Sequence, residues 1–419
     1  MNIEILPNII TFFFLIVILS YYILIFVKKP KDKIQTNFKS ISIIIPAHNE
    51  EKYIAKCLDS VLNADFDGDK QIIVVDDGSK DSTSEIVSKY LNKGVVLIKQ
   101  QHTGKSASMN KALEIAKGDA IAIVDADSYI QKDSILYMID ELSRENVGGV
   151  TGTIKVKNRK KFICIWVHIE QLYNSLIRHL FSKLNANIST PGPLSVYRKK
   201  ALDDIQGFST EGYSEDLDIT IRLIRKGYKV RYAEKAVSET NMPYTYRWFM
   251  KQRFRFAKGM LNLFKRHIRL KNKKLIDIYT LPLFVFTYIQ GVIMGSFTIY
   301  QIVNGYIKYF LSNDIIFNLS VVKFLFEWLS IVGTVKWMYG VAAGIHPLTV
   351  VAVIGVIATL LTYPLYLFSI LKFDKKLDLF HIIALFFMAP FWLLIMVIYI
   401  ISLPEMFKKK QPNVWLKND

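Results

Sequence analysis

Four stretches of this chain carry no Asp, Glu, Lys or Arg and are each long enough to cross a bilayer: Ile9 to Val27, Ile278 to Ile307, Trp337 to Leu371 and Leu379 to Pro404. A helix rises about 1.5 Å per residue, so about 20 apolar residues match a hydrocarbon core roughly 30 Å thick. No basic residues precede the first run and no small-residue cleavage site follows it, which reads as an uncleaved anchor rather than a signal peptide. A fifth stretch, Ile315 to Val335, is interrupted by Lys323 and Glu327. These lie four apart on one helical face, where they pair, face a channel or ride in an interface.

Basic flanks orient such runs, because short Lys/Arg-rich loops resist translocation. Lys28, Lys29, Lys31 and Lys33 follow the first run, and Arg266, Arg269, Lys271, Lys273 and Lys274 precede the second. Both ends of the intervening region are therefore expected in the cytoplasm. The tail carries Lys408, Lys409 and Lys410; keeping it inside as well requires an odd number of crossings. The expectation is five, with Ile315 to Val335 crossing, and four is the alternative. Five crossings leave Lys372, Lys375 and Lys376 outside, against the rule. Because the sequence stops shortly after Pro404, no carboxy-terminal regulatory domain is expected.

The expected division is an anchor over residues 1–33, a cytoplasmic domain over 34–243, an interfacial helix over 244–275, transmembrane helices over 276–407 and a basic tail over 408–419. Two cysteines, Cys57 and Cys164, in no paired or metal-like spacing exclude a disulfide framework or zinc module and are compatible with a reducing compartment. The net charge of +18 invites a nucleic-acid reading. Many of the Lys and Arg residues flank the apolar runs, however, where topology and acidic headgroups account for them. No nucleic-acid partner is expected.

Within the polar region, Ile41 to Ile45, Gln71 to Val75, Val95 to Lys99 and Ala120 to Val124 are short β-branched runs suited to strands buried on both faces of a parallel sheet. Glu50 to Leu62 has helical apolar spacing, and Ser82 with Glu85 forms a capping box for the next helix. An α/β domain with a mostly parallel, Rossmann-like sheet follows. Such sheets bind ligands beyond the carboxyl ends of their strands. Two of these ends are acidic: Asp76-Asp77-Gly78-Ser79 and Asp125-Ala126-Asp127-Ser128. Paired carboxylates suit a divalent cation that also holds phosphate oxygens, although Asp, Gly and Ser are also ordinary turn residues.

The motifs together resemble an inverting family 2 glycosyltransferase of GT-A fold. Pro46-Ala47-His48-Asn49-Glu50, Asp76-Asp77-Gly78-Ser79, Gly104-Lys105 with Asn110, and Asp125-Ala126-Asp127 occur in the family's order. Ser214-Glu215-Asp216 is similar to its Thr-Glu-Asp, and Gln252-Arg253-Phe254-Arg255-Phe256 to its Gln-x-x-Arg-Trp. The resemblance implies a nucleotide-sugar donor. Ala47, Glu50 and Asp77 would hold the base or ribose, and Lys105 would approach the phosphates. Asp125 would contact sugar or ribose, and Asp127 would ligate Mg²⁺ or Mn²⁺, which acts as Lewis acid on the leaving diphosphate.

Asp216 is the candidate general base, with Glu215 beside it. Ser214 and Gly227 bracket a helix that places Asp216 in the first turn, where the dipole is expected to keep it ionised with a lowered pKa. Gln252 and Arg255 would reach the diphosphate. Phe256 departs from the family's Trp: it keeps an aromatic platform for the acceptor and loses the indole N–H. Trp248 to Phe264 reads as an interfacial amphipathic helix. Ile163 to Leu184 reads as a helix packed on the domain or membrane, with His168 and His179 lacking metal partners. Thr190 to Ser195 is either a turn or, by resemblance, an acceptor-lining loop.

The Gln-x-x-Arg-aromatic motif is similar to that of processive synthases such as poly-N-acetylglucosamine, cellulose, chitin and hyaluronan synthases. The expected activity is extension of a polysaccharide from UDP-N-acetylglucosamine or another UDP-hexose, with export through the bilayer and a small membrane subunit as a possible partner. The alternatives are transfer of one sugar to a lipid acceptor and an inactive binding pseudoenzyme.

Overall fold

The computed structural model describes residues 5–30, 32–187, 189–212, 214–268, 274–312, 319–346 and 348–408. Lys31, Arg269, Lys271, Lys273, Lys409 and Lys410, all used above to orient the chain, lie outside these, as does the start of the Ile315 stretch. The chain opens with α1 (Ile5–Phe26) and then alternates: β1 (Ser40–Ala47), α2 (Ile54–Leu62), β2 (Asp69–Asp77), α3 (Thr83–Ser88), β3 (Val95–Gln100), α4 (Lys105–Leu113), β4 (Ala120–Ile123), β5 (Ser128–Ile130), α5 (Ser134–Leu142) and β6 (Val147–Val156). There follow α6 (Phe162–Ser182), β7 (Ser195–Arg198), α7 (Lys199–Asp203), α8 (Glu215–Lys226), β8 (Lys229–Thr240) and α9 (Tyr246–His267). All four strands expected from β-branched runs form.

The eight strands make one sheet, ordered β3-β2-β1-β4-β7-β6-β8-β5. It is parallel from β3 to β4 and between β6 and β8, and antiparallel where β7 and β5 enter. The strand period of two sends Ile43 and Ile45 into one core and Ile44 into the other, all three fully buried. That double burial explains the near-continuous apolar runs. The order reverses between β1 and β4, so a crevice opens at their carboxyl ends. The expected capping box of α3 is absent: Ser82 makes no side-chain cap, and Asp81 Oδ1 instead accepts the Thr83 N–H at 3.0 Å. A carboxylate one residue earlier thus takes a different first-turn donor, the Thr83 N–H.

Behind the sheet lies a third core, shared by α6 and α9 with the apolar helices. These are α10 (Leu281–Gln301), α11 (Lys308–Ser312), α12 (Leu319–Leu329), α13 (Val332–Ala342), α14 (Val350–Phe373), α15 (Leu379–Phe386) and α16 (Met388–Ser402). Among the described residues four segments are long and apolar enough to cross a membrane: Ile5–Phe26, Ile276–Asn304, Ala352–Phe373 and Met388–Phe407. Among the described residues no single helix covers the expected fifth crossing. Its described part divides between α12 and the start of α13, each 11 residues long and too short for a bilayer.

The packing also removes the charge violation of the five-crossing layout. Lys183 Nζ donates to the carbonyls of Leu24 and Ile25 at the end of α1. The start of α10 is fixed by Thr280 Oγ1 on the Ala186 carbonyl. At the end of α14, Lys372 pairs with Glu234 of β8 at 2.9 Å and Asp374 with Lys155 of β6 at 3.0 Å. Lys372 therefore lies on the same side as the sheet. Both ends of α16 rest near α9, through Phe391 against Phe249 and Glu405, just beyond the helix, against Lys258.

Arg253, within the Trp248 to Phe264 stretch read as an interfacial amphipathic helix, is buried. Its guanidinium forks onto both oxygens of Glu170 on α6 and lies over Phe249. A bidentate pair in this setting fixes the two helices in register. His168 is likewise not alone: it gathers with Asp374 and His381, their ligating atoms within 4.8 Å of one another. Its Nδ1 accepts the Val156 N–H, while its Nε2 lies 3.1 Å from Arg159 Nη1 and 3.3 Å from Asp374 Oδ2. The expectation that His168 had no metal-competent neighbours is overturned by chain segments more than 200 residues apart; Arg159 enters the same cluster through Asp374, so these groups fasten α6 to the end of α14.

Candidate active site

The crevice is built from strand ends inward. Ala47 pairs in register with Asp76, and Asp76 is consumed by the following turn, accepting from the Ser79 N–H and the Ser84 hydroxyl. The turn reading is correct for that residue. Asp77 is fully buried. Its Oδ1 accepts from Gln100 Nε2 at 2.7 Å and the Thr103 N–H at 2.9 Å, and its Oδ2 from the Gly104 N–H at 2.8 Å. Burial opposes ionisation, but these donors and the neighbouring His102 hold the carboxyl below its usual range. Asp77 thus organises the turn into α4.

That turn delivers Lys105 as the first residue of α4. Its ammonium lies 2.7 Å from Asp125 Oδ1 and 3.1 Å from Glu215 Oε1. One side chain thus joins the end of β4 to the start of α8, residues 90 apart in sequence. The two carboxylates outweigh burial and push the Lys105 pKa up. Gly192 sits against this bridge: a Cβ there would come within 2.5 Å of both Lys105 Nζ and Asp125 Oδ2. Its carbonyl accepts the Asp125 N–H at 3.1 Å. The Thr190 to Ser195 segment is therefore part of the crevice wall, and Gly192 is a site residue that sequence spacing did not single out. Its signals were the Pro-Gly-Pro composition and the resemblance of Thr190 to Ser195 to an acceptor-lining loop.

Asp127, two residues beyond Asp125, is near Thr240 Oγ1 at 3.5 Å and Ser128 Oγ at 3.2 Å. Asp125, Asp127 and Glu50 all act on the buried Cys57 thiol, whose pKa is raised first by burial and then by these carboxylates. They therefore face one locality. Carboxylate and hydroxyl oxygens at Asp127 are the hard donor set that Mg²⁺ or Mn²⁺ prefers, and no soft sulfur competes beside them except that un-ionised thiol.

Asp216, half-buried in the first turn of α8, departs from expectation. Burial, then the adjacent Glu215 carboxylate, push its pKa up to about 6, while Lys105 and the helix N–H groups pull the other way. The dipole is present but loses. Glu215 goes the opposite way: despite burial, Lys105 and Arg255 hold it below its usual range. Neighbouring carboxylates pushed apart are the pattern of a base beside a charge-holding partner. Arg255 thus faces the same cluster from α9. Gln252 turns its amide N–H toward Met242 Sδ at 3.9 Å and leaves a buried Oε1 without a hydrogen-bond partner. Phe256 is 42% exposed, its ring 5.8 Å from the Arg253 and 5.7 Å from the Arg255 guanidinium.

Residues 42–206 match the glycosyl transferase family 2 profile. The match ends before Glu215, so it covers the strand-end carboxylates and Lys105 but not the α8 and α9 parts of the site. A probable glycosyltransferase, YdaM, of Bacillus subtilis is 30% identical over 271 residues, covering 61% of this chain and 64% of that protein. The poly-beta-1,6-N-acetyl-D-glucosamine synthase of Staphylococcus aureus is 28% identical over 238 residues, covering 55% and 57%. The chain thus spans less than two thirds of either relative. In fold, it is similar to the mannosyltransferase PcManGT of Pyrobaculum calidifontis, solved with GDP-Man and Mn²⁺. The TM-score is 0.62 at 18% identity, over 89% of this chain and 99% of that one.

Proposed function

Because this chain carries a family 2 glycosyltransferase domain of GT-A fold, we propose that it is a membrane-embedded inverting synthase that extends a polysaccharide from UDP-N-acetylglucosamine or another UDP-hexose and passes it across the bilayer. The observation carrying this reading is the Lys105 bridge, which draws Asp125 and Glu215 together with Asp216 alongside. The similarity to a poly-beta-1,6-N-acetyl-D-glucosamine synthase supports the donor and the processive product. In this reading the sheet is cytoplasmic and the bilayer encloses α1, α10 and α14, with Lys28, Lys29, Lys265, Lys372 and Lys408 on the sheet's side, as the distribution of positive charge favours.

Inverting transfer requires an acceptor hydroxyl to attack the anomeric carbon from the face opposite the diphosphate. Asp216, with a pKa of about 6, is ionised at neutral pH yet basic enough to take the hydroxyl proton as the new bond forms. Lys105 and Arg255 supply positive charge where the diphosphate departs, and Arg255 can pair two oxygens at once. Asp127 would hold Mg²⁺ or Mn²⁺, which supplies Lewis-acid neutralisation of the leaving group. Asp77 acts at one remove, setting the turn that aims Lys105. Phe256 offers an exposed ring as acceptor platform.

Purified protein in lipid, given Mn²⁺ or Mg²⁺ and a panel of nucleotide sugars, tests this by nucleotide release and product size. A high polymer from UDP-N-acetylglucosamine is expected. A single-sugar lipid would replace processive extension, and no turnover with any donor would reject the enzyme reading.

A further inference from the structure

A cleft of about 440 Å³ lies beside Asp127, lined by Lys52, Tyr53, Lys56, Tyr129, Lys157 and Asn241. The two are contiguous: Asn241 Nδ2 approaches the Asp127 carbonyl at 3.4 Å and the Tyr129 hydroxyl at 3.1 Å. Three ammonium groups and no carboxylate line the cleft. Lys157 is matched by Glu239 at 2.6 Å and rests over the Tyr129 ring. Lys52 and Lys56 are exposed, four apart at the start of α2, and among the described residues neither enters an ion pair. The wall thus carries two ammonium groups outside any ion pair, next to the Asp127 carboxylate. The edge of the Tyr53 ring, the Asn241 amide oxygen and the ammonium groups make a surface for a saccharide: an aromatic edge for its C–H groups, an acceptor for its hydroxyls and cations for an acidic substituent.

We propose that this cleft is a subsite for a carboxylate-bearing saccharide unit, held next to the reacting centre by Lys52 and Lys56. The inference rests on the glycosyl-transfer reading and goes beyond its neutral donors: besides any UDP-hexose, at least one saccharide unit handled here is acidic. That unit arrives either on the nucleotide donor or on the growing chain, and both sources present the same carboxylate.

The test is binding to the full-length protein in lipid, measured calorimetrically without turnover. One arm compares a glucuronate-containing disaccharide with its neutral glucose counterpart; a second compares UDP-glucuronate with UDP-glucose; a third uses UDP alone. In at least one of the first two arms the acidic ligand should bind about tenfold more tightly, roughly 1.4 kcal/mol. The K52Q/K56Q double variant should erase that preference while leaving UDP affinity within about twofold. The arm that discriminates identifies the source. Equal binding of acidic and neutral ligands in both arms overturns the proposal. So does a variant that retains the preference, or one that loses UDP affinity in parallel, since the lysines would then serve the diphosphate. A protein that shows the preference yet transfers no sugar leaves the subsite standing and removes the synthase reading; an active synthase without the preference does the reverse.

Discussion

Two clusters of charge in this molecule, one around Lys105 and one around Asp374, are balanced in opposite senses. Around Lys105, Asp125 and Glu215 share one ammonium, and Asp216 beside them is pushed up to about 6. Around Asp374, a single carboxylate meets Lys155, Arg159, His168 and His381. Burial opposes its ionisation, yet His168 and Lys155 hold it far below the usual carboxylate range. A carboxylate with surplus cations is a fastener, here between the end of α14, β6 and α6. Carboxylates short of cations form a site that can accept a proton, a metal or a phosphate-bearing ligand.

The sharpest way to break this contrast is Asp216→Asn. It should lower transfer about a thousandfold or more, within the range removal of a general base produces, while UDP-sugar affinity measured by calorimetry stays nearly unchanged. Retained activity would remove Asp216 from the chemistry. Asp374→Asn should act on the fold instead. Leaving Lys155 and Arg159 without their carboxylate costs about 3 kcal/mol, read as a lower apparent melting temperature in lipid. An unchanged melting temperature would deny that the hub fastens anything.

Lys105→Gln comes next, with an expected loss of about a hundredfold in kcat, as for a lost charge-stabilising donor; the mutant's metal dependence should persist. The pH dependence separates the clusters by sign. The folded-state pKa of Asp216 is raised, so the folded chain holds its proton more tightly than the unfolded chain. Its contribution to stability therefore falls as pH rises from about 4 to about 6. The kcat profile should bend near pH 6, and Asp216→Asn, though inactive, should melt at or above the wild-type temperature at pH 7. The folded-state pKa of Asp374 is depressed; its contribution is full above about 4 and is lost as pH falls below that. The smallest effect is expected from Phe256→Trp, a change of about threefold or less in acceptor KM, because the ring is already exposed and gains only an N–H.

The first half of the site was readable in the chain because parallel strands end in short local motifs: the residues that follow β2 and β4 are contiguous, and their turns need Asp, Gly and Ser whatever they bind. Even there, sequence could not tell Asp76 and Asp77, used internally, from Asp125 and Asp127. That choice is made by which oxygens the turns consume. Asp216 was found through its motif, but its pKa direction was misjudged, since a helix dipole is visible in sequence and burial beside Glu215 is not. The split of the fifth apolar stretch into α12 and α13 was similarly hidden, because hydropathy records composition and not where a helix stops.

Sequence alone determined the periodicities: β-branched runs that must be buried on both faces, apolar runs that must leave water, and acidic strand ends that must find hydrogen-bond donors or cations. These follow from local sterics and from the cost of exposing apolar surface. Only the tertiary structure decided which charges meet. Lys105 with Glu215, Arg253 with Glu170 and Asp374 with His168 are each separated by 80 residues or more, and whether each carboxylate ends over- or under-compensated depends on distances that no spacing along the chain encodes.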